Sequence, residues 1–279
     1  MNKQSIILWT AAIFITAGSA VYQRTTGPSY PLRGSVAIAG KEVAYRLSRS
    51  EEQRNAEVKI ATGDSTIRGW IEWKRFKTDD PWTKTAMAYQ NRFLLGDLPV
   101  QPPAGKLLYR VVLESGGQLA VVPPVEAAVI RFKGNVPGFI LWPHILIMFL
   151  AMMFSTRAGL EFFSRAPRLK TLTFLTLSFF FVGGVILGPV VQKYAFDAYW
   201  TGWPFGTDLT DNKTALALLG WVAAALAIYR SKRPKTWVLA AAIILLLVYL
   251  IPHSFLGSEL DYRAIDSKQK SLQVAPGGK

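Results

Sequence analysis

His144 and His253 are the only two histidines in the 279 residues, and each directly follows a proline, in Trp142-Pro143-His144 and Ile251-Pro252-His253. Between them runs QKYAFDAYWTGWPFGTDLTDNKT, which carries Asp197, Asp208, Asp211 and Asn212; beyond His253 come Glu259 and Asp261. Two imidazoles with Asp208, Asp211, Glu259 or Asp261 make the donor set of a two-histidine, carboxylate site for a divalent metal such as Zn, Mn or Fe(II). Asp208-x-x-Asp211-Asn212 alone offers oxygens to Ca²⁺, without the spacing of an EF-hand loop. The same two histidines, on antiparallel helices, could instead be the axial ligands of a b-type haem. Ionisable groups at membrane depth also suit a proton relay or a quinone pocket. A plainer alternative is interfacial anchoring, with Tyr194, Tyr199, Trp200, Trp203 and Phe205 as an aromatic belt and Asp211 or Asn212 capping the next helix. There is no cysteine, which removes disulfides, thiol catalysis and Cys-based zinc or iron–sulfur sites.

These residues need a membrane-embedded frame. The chain is 51% hydrophobic and 13% aromatic, yet has 32 Lys+Arg against 18 Asp+Glu, a net charge of +14, with mean hydropathy +0.23. That combination excludes intrinsic disorder and points to a bilayer as the first partner. Five apolar stretches are expected as spans: Ile6 to Val21, Pro137 to Phe154, Leu172 to Val191, Ala215 to Tyr229 and Trp237 to Ile251. The last two are short of the roughly 20 residues that cross a hydrocarbon core. The first, with Ala17-Gly18-Ser19-Ala20 near its end, reads as a signal anchor or a cleaved signal peptide. No span carries a central Asp, Glu, Lys or Arg, which argues against a transporter. In the third, Gly183-Gly184 and Gly188-Pro189 permit close helix approach and a kink.

Orientation follows from the short loops. Arg157, Arg165, Arg168 and Lys170 lie between spans two and three, and Arg230, Lys232, Arg233 and Lys235 between four and five. The Gln192 to Lys213 loop holds three aspartates against two lysines. The expectation is a multi-pass protein of a bacterial-type inner membrane, N-terminus cytoplasmic, with both histidines at the outer face. Eight of the basic residues then sit in cytoplasmic loops too short to bind nucleic acid, and none is expected as a partner.

Between the first two spans, short alternating runs predict strands: Ser35 to Ile38, Glu42 to Leu47, Ala56 to Ala61, Ile67 to Phe76, Thr85 to Leu94, Leu107 to Glu114, Gln118 to Val122 and Ala127 to Phe132, with a hairpin at Ser115-Gly116-Gly117. This spacing argues for a β-sandwich. The stretch LLGDLPVQPPAGKLLYRVVLE resembles the corner of immunoglobulin-like and fibronectin-type sandwiches. The resemblance covers about twenty residues and implies that the Tyr109 hydroxyl bonds back to the corner backbone. Trp70 and Trp73, three apart on one strand, must face opposite ways. One belongs to the core; the other, with Lys74, Arg75, Lys77 and Trp82, makes an aromatic-basic edge that is either ordinary sandwich packing with a solvated basic rim or a patch suited to docking a protein.

The expected fold is therefore a membrane α-helical bundle of five spans plus an exported all-β immunoglobulin/fibronectin-like sandwich. Residues 1–24 form the anchor, 25–135 the sandwich, 136–254 four spans, and 255–279 an extracytoplasmic tail. The expected role is a non-enzymatic accessory, assembly or scaffold subunit whose sandwich docks a membrane or periplasmic protein through Trp70, Trp73, Arg75 and Trp82. The alternative is a redox component holding a divalent metal or b-type haem at His144 and His253.

Overall fold

The structure, a computed structural model, describes residues 3–252, 257 and 259–274. It divides into two compact units: residues 1–28 with 136–258, and 29–135 with 259–279.

The first unit is helical. Helix α1 (Lys3–Thr26), α2 (Gly138–Gly159, continued by a 3₁₀ turn to Phe163), α3 (Leu169–Phe180), α4 (Gly188–Phe196) and α5 (Leu209–Arg230) form four stretches long and apolar enough to cross a membrane, because α3, a π-helical segment (Phe181–Leu187) and α4 run on as one. The remaining apolar helix, α6 (Pro234–Leu250), has 17 residues, a rise of about 26 Å against a hydrocarbon core of about 30 Å. The anchor segment is part of the bundle: Trp9 meets Phe154 edge-on, and Gln23 Nε2 donates to Tyr249 O at 2.9 Å. Helices α2 and α6, carriers of the second and fifth expected spans, touch. Gly159 makes this possible, since a Cβ there would lie 2.6 Å from that of Ala242.

Arg157 does not lie in a loop, as the span ending at Phe154 implied. The helix runs on, and four residues separate Arg157 from Glu161 on one face. The two form an ion pair with side chains only 4% and 1% exposed. The Arg157 guanidinium also lies over Trp9 at 5.4 Å, and Glu161 accepts the Arg168 N–H at 2.9 Å.

The second unit contains eleven strands in two sheets. One has the order β1 (Leu32–Ile38), β2 (Lys41–Leu47), β4 (Ala56–Ala61), β8 (Phe93–Leu98), β7 (Ala88–Gln90). The other runs β3 (Ser50–Glu51), β11 (Ala128–Phe132), β9 (Lys106–Ser115), β5 (Arg68–Arg75), β6 (Thr83–Ala86), with β10 (Gln118–Val122) also on β9. Alternate residues of both sheets meet in one core: Val43, Val58, Ile60 and Leu94 from the first, Ile71, Leu107, Val111 and Ile130 from the second. The hairpin at Ser115-Gly116-Gly117 is present, with both glycines at positive φ. The expected strand Thr85 to Leu94 is instead divided among three, because Asn91 and Arg92 adopt positive φ and turn β7 back onto β8. Tyr109 is fully buried, but its hydroxyl donates to Ser48 O at 2.7 Å rather than to its own corner. Burial pushes its pKa well up.

Residues past 258 are more than a tail. Helix α7 (Tyr262–Val274) closes the sandwich unit. The single Tyr262 O–H is shared between Gln101 Oε1 at 3.0 Å and Lys106 O at 3.2 Å, in a space where a Cβ on Gly105 would come within 2.9 Å of the hydroxyl. Arg75 grips Asp80 and Asp266 with both ends of its guanidinium, 2.6–3.0 Å, over the Tyr262 ring.

Candidate functional site

In the helical unit, three elements converge on a cavity of about 120 Å³: α2 with His144 and Met148, the π segment and α4 with Gly184, Gly188 and Gln192, and the start of α5 with Asp208 and Asp211. His144 Nδ1 lies 3.0 Å from Gly183 O. A carbonyl only accepts, so Nδ1 carries the proton, and in the neutral ring Nε2 keeps the lone pair. Gly183 O also receives the Gly188 N–H, the five-residue step of the π turn. The carbonyl that sets this histidine's tautomer is thus also the acceptor of the π turn, which no glycine or proline count reveals.

The carboxylates of the cavity wall hold the connecting loop. Asp208, not Asp211 or Asn212, is the N-cap of α5, its Oδ1 accepting the Thr210 N–H at 2.7 Å. Asp211 points backwards instead. Its Oδ2 accepts from Thr201 N (2.6 Å), Gly202 N (3.0 Å), Gln192 Nε2 (3.1 Å) and Thr201 Oγ1 (3.3 Å). Asn212 Oδ1 accepts the Trp203 N–H at 2.6 Å. Gly202 is required, because a Cβ would sit 2.5 Å from that of Asp211. Lys213, buried, donates to Ile251 O at 2.6 Å and so ties the first turn of α5 to the last carbonyls of α6.

The other expected ligands are engaged elsewhere. Glu259 sits between Lys77 and Lys106, 2.7 Å from each. Burial would raise its pKa, but the hydrogen bonds from Lys106 and Lys77 outweigh this and hold it below the usual range. Asp261 caps α7 through the Arg263 and Ala264 N–H groups. His253 lies outside the described residues. Among the described residues, no three His, Cys, Asp or Glu side chains gather as a metal shell.

The chain matches no protein-family model, no curated protein and no solved structure.

In the sandwich unit the strand β5 decides between the tryptophans. Trp73 packs on the core, its Nε1 donating to Thr85 at 3.1 Å. Trp70 looks outward with Glu72 and Lys74. On that face Glu72 is nearly buried and accepts from Trp70 Nε1 (3.0 Å) and Arg110 (2.7 Å). The Trp70 hydrogen bond, then Arg110, lowers its pKa. Lys84 lies over the Trp70 ring, and Arg110 and Lys74 lie over Trp82, all at 4.9–5.5 Å. Three cations therefore surround two indoles and one carboxylate. Arg75, committed to Asp80 and Asp266, belongs to the α7 clamp and not to this face.

That clamp has a pH signature. Hydrogen bonds from Arg75 hold the carboxyls of Asp80 and Asp266 below the ordinary aspartate range. Their folded pKa values lie below the unfolded ones, so their contribution is complete above the ordinary range and is lost as pH falls through the depressed values. Once corrected for the intrinsic slowing of exchange in acid, protection of the α7 amides should accordingly be high at pH 7 and fall when the carboxyls protonate. Asp266→Asn should give the lower protection already at pH 7; unchanged exchange in that variant would show that Tyr262 alone holds the helix.

Proposed function

We propose that the protein is a non-enzymatic, multi-pass membrane subunit that presents a β-sandwich to a partner protein. The observation that carries this is the outward face of β5 and β9, where Trp70 and Trp82 are stacked by Lys74, Lys84 and Arg110. Aromatic side chains held rigid by cations combine large contact area with little ordering cost, and the excess of positive charge selects an acidic partner surface. Support for an immunoglobulin/fibronectin-like sandwich comes from the strand orders β1-β2-β4-β8 and β11-β9-β5-β6 and from a buried tyrosine on the strand after the Pro/Gly-rich corner. Arg165, Arg168 and Lys170 around the start of α3, with Arg230, Lys232, Arg233 and Lys235 at the α5–α6 turn, favour an N-terminus inside, α6 as a fifth span, and the sandwich outside a bacterial-type inner membrane.

The test is co-purification of the tagged full chain from its native membrane in mild detergent. Trp82→Ala with Lys84→Glu should weaken retention of a stoichiometric partner at least tenfold, and retention of the wild type should fall with added salt. His144→Ala should leave it unchanged. Retention by the double variant, at unaltered thermal stability, would sink the docking role.

A further inference from the structure

His144 and Met148 are one turn apart on α2 and therefore share a face. Both line the 120 Å³ cavity beside the π turn. They also converge on one residue: His144 Nδ1 bonds Gly183 O, and a Cβ on Gly183 would lie 2.9 Å from Met148 Sδ. The ring's Cε1 lies 3.9 Å from the position of a Cβ on Gly188, another wall of the same cavity. An imidazole whose N–H is held by a backbone carbonyl, with its second nitrogen unprotonated, is the arrangement that orients metal-ligating histidines.

We propose that His144 Nε2 and Met148 Sδ bind a monovalent copper ion. Thioether sulfur is a soft donor that selects Cu(I), and imidazole suits copper equally. Zn²⁺ would require about four tetrahedral N, O or S⁻ ligands, and no three His, Cys, Asp or Glu side chains gather among the described residues. The size of the cavity agrees. It is well below the roughly 300–1,000 Å³ of sites for drug-sized molecules, so it takes an ion with a small third donor and not a macrocycle. The nearby Asp208 and Asp211 carboxylates give the cation a favourable field without coordinating it. This site is independent of the sandwich face, and either can fail without the other.

The experiment titrates Cu(I), under anaerobic reducing conditions, into the full chain in detergent against a chromophoric Cu(I) chelator. The wild type should hold one equivalent. His144→Gln should abolish competition with the chelator, and Met148→Leu, which preserves volume and helix packing, should weaken it at least tenfold with unchanged thermal stability. X-ray absorption of the loaded protein should show one sulfur neighbour that Met148→Leu removes. Failure of the wild type to compete, equal binding by Met148→Leu, or tighter binding of Zn²⁺ than Cu(I) would each overturn the assignment.

Discussion

Glu161→Gln should destabilise the helical unit by about 3–5 kcal/mol, the range for removing one partner of a buried ion pair. Arg157 stays behind with its side chain 4% exposed, and its Nε has no hydrogen-bond partner among the described residues. Glutamine fits the space and accepts the Arg168 N–H, but supplies no charge to the guanidinium. Trp9 attracts the cation by about 1–2 kcal/mol, too little to replace a carboxylate. Thermal unfolding in detergent, followed by circular dichroism, reads the loss. The control is Arg157→Met with Glu161→Gln, which removes the cation as well and should recover most of it. A single variant as stable as the wild type would mean that water reaches Arg157.

Asp211→Ala should cost about 2–6 kcal/mol and free the 197–207 loop. Two backbone N–H groups, Thr201 and Gly202, would lose their acceptor in a place where Asp211 is 5% exposed. Each buried donor left unsatisfied costs about 1–3 kcal/mol. Asp211→Asn keeps an accepting oxygen and should lose far less, about 1 kcal/mol, since only the charge assistance goes. Amide exchange at Thr201 and Gly202 separates the variants: fast in Asp211→Ala, near wild type in Asp211→Asn. Equal exchange in both would make the carboxylate's charge, and not its acceptor geometry, the element that holds the loop.

The sequence by itself determined the membrane-compatible helices, the all-β segment between the first two of them and the Gly116-Gly117 hairpin. Those features come from local periodicity: apolar runs near 20 residues, alternation with period two, glycines where φ must be positive. It also showed that Trp70 and Trp73 oppose each other, but not which one is buried. That depends on which face of β5 meets the other sheet, a partnership made by residues far away in the chain. The same holds for the tyrosine on β9, whose acceptor lies 61 residues back, and for Arg75, whose second carboxylate is 191 residues on. YRAIDSKQKSLQV is polar and names no partner by itself; Gly105 and Arg75 show where it docks. At the cavity, the type and spacing of Asp208 and Asp211 make them candidate ligands. Tertiary structure assigned them to a helix cap and a loop clamp, and it placed His144 and Met148 together in the wall of the same cavity. A residue type states which bonds it can make. The donors that close around it, brought together by the fold, decide which ones it does make.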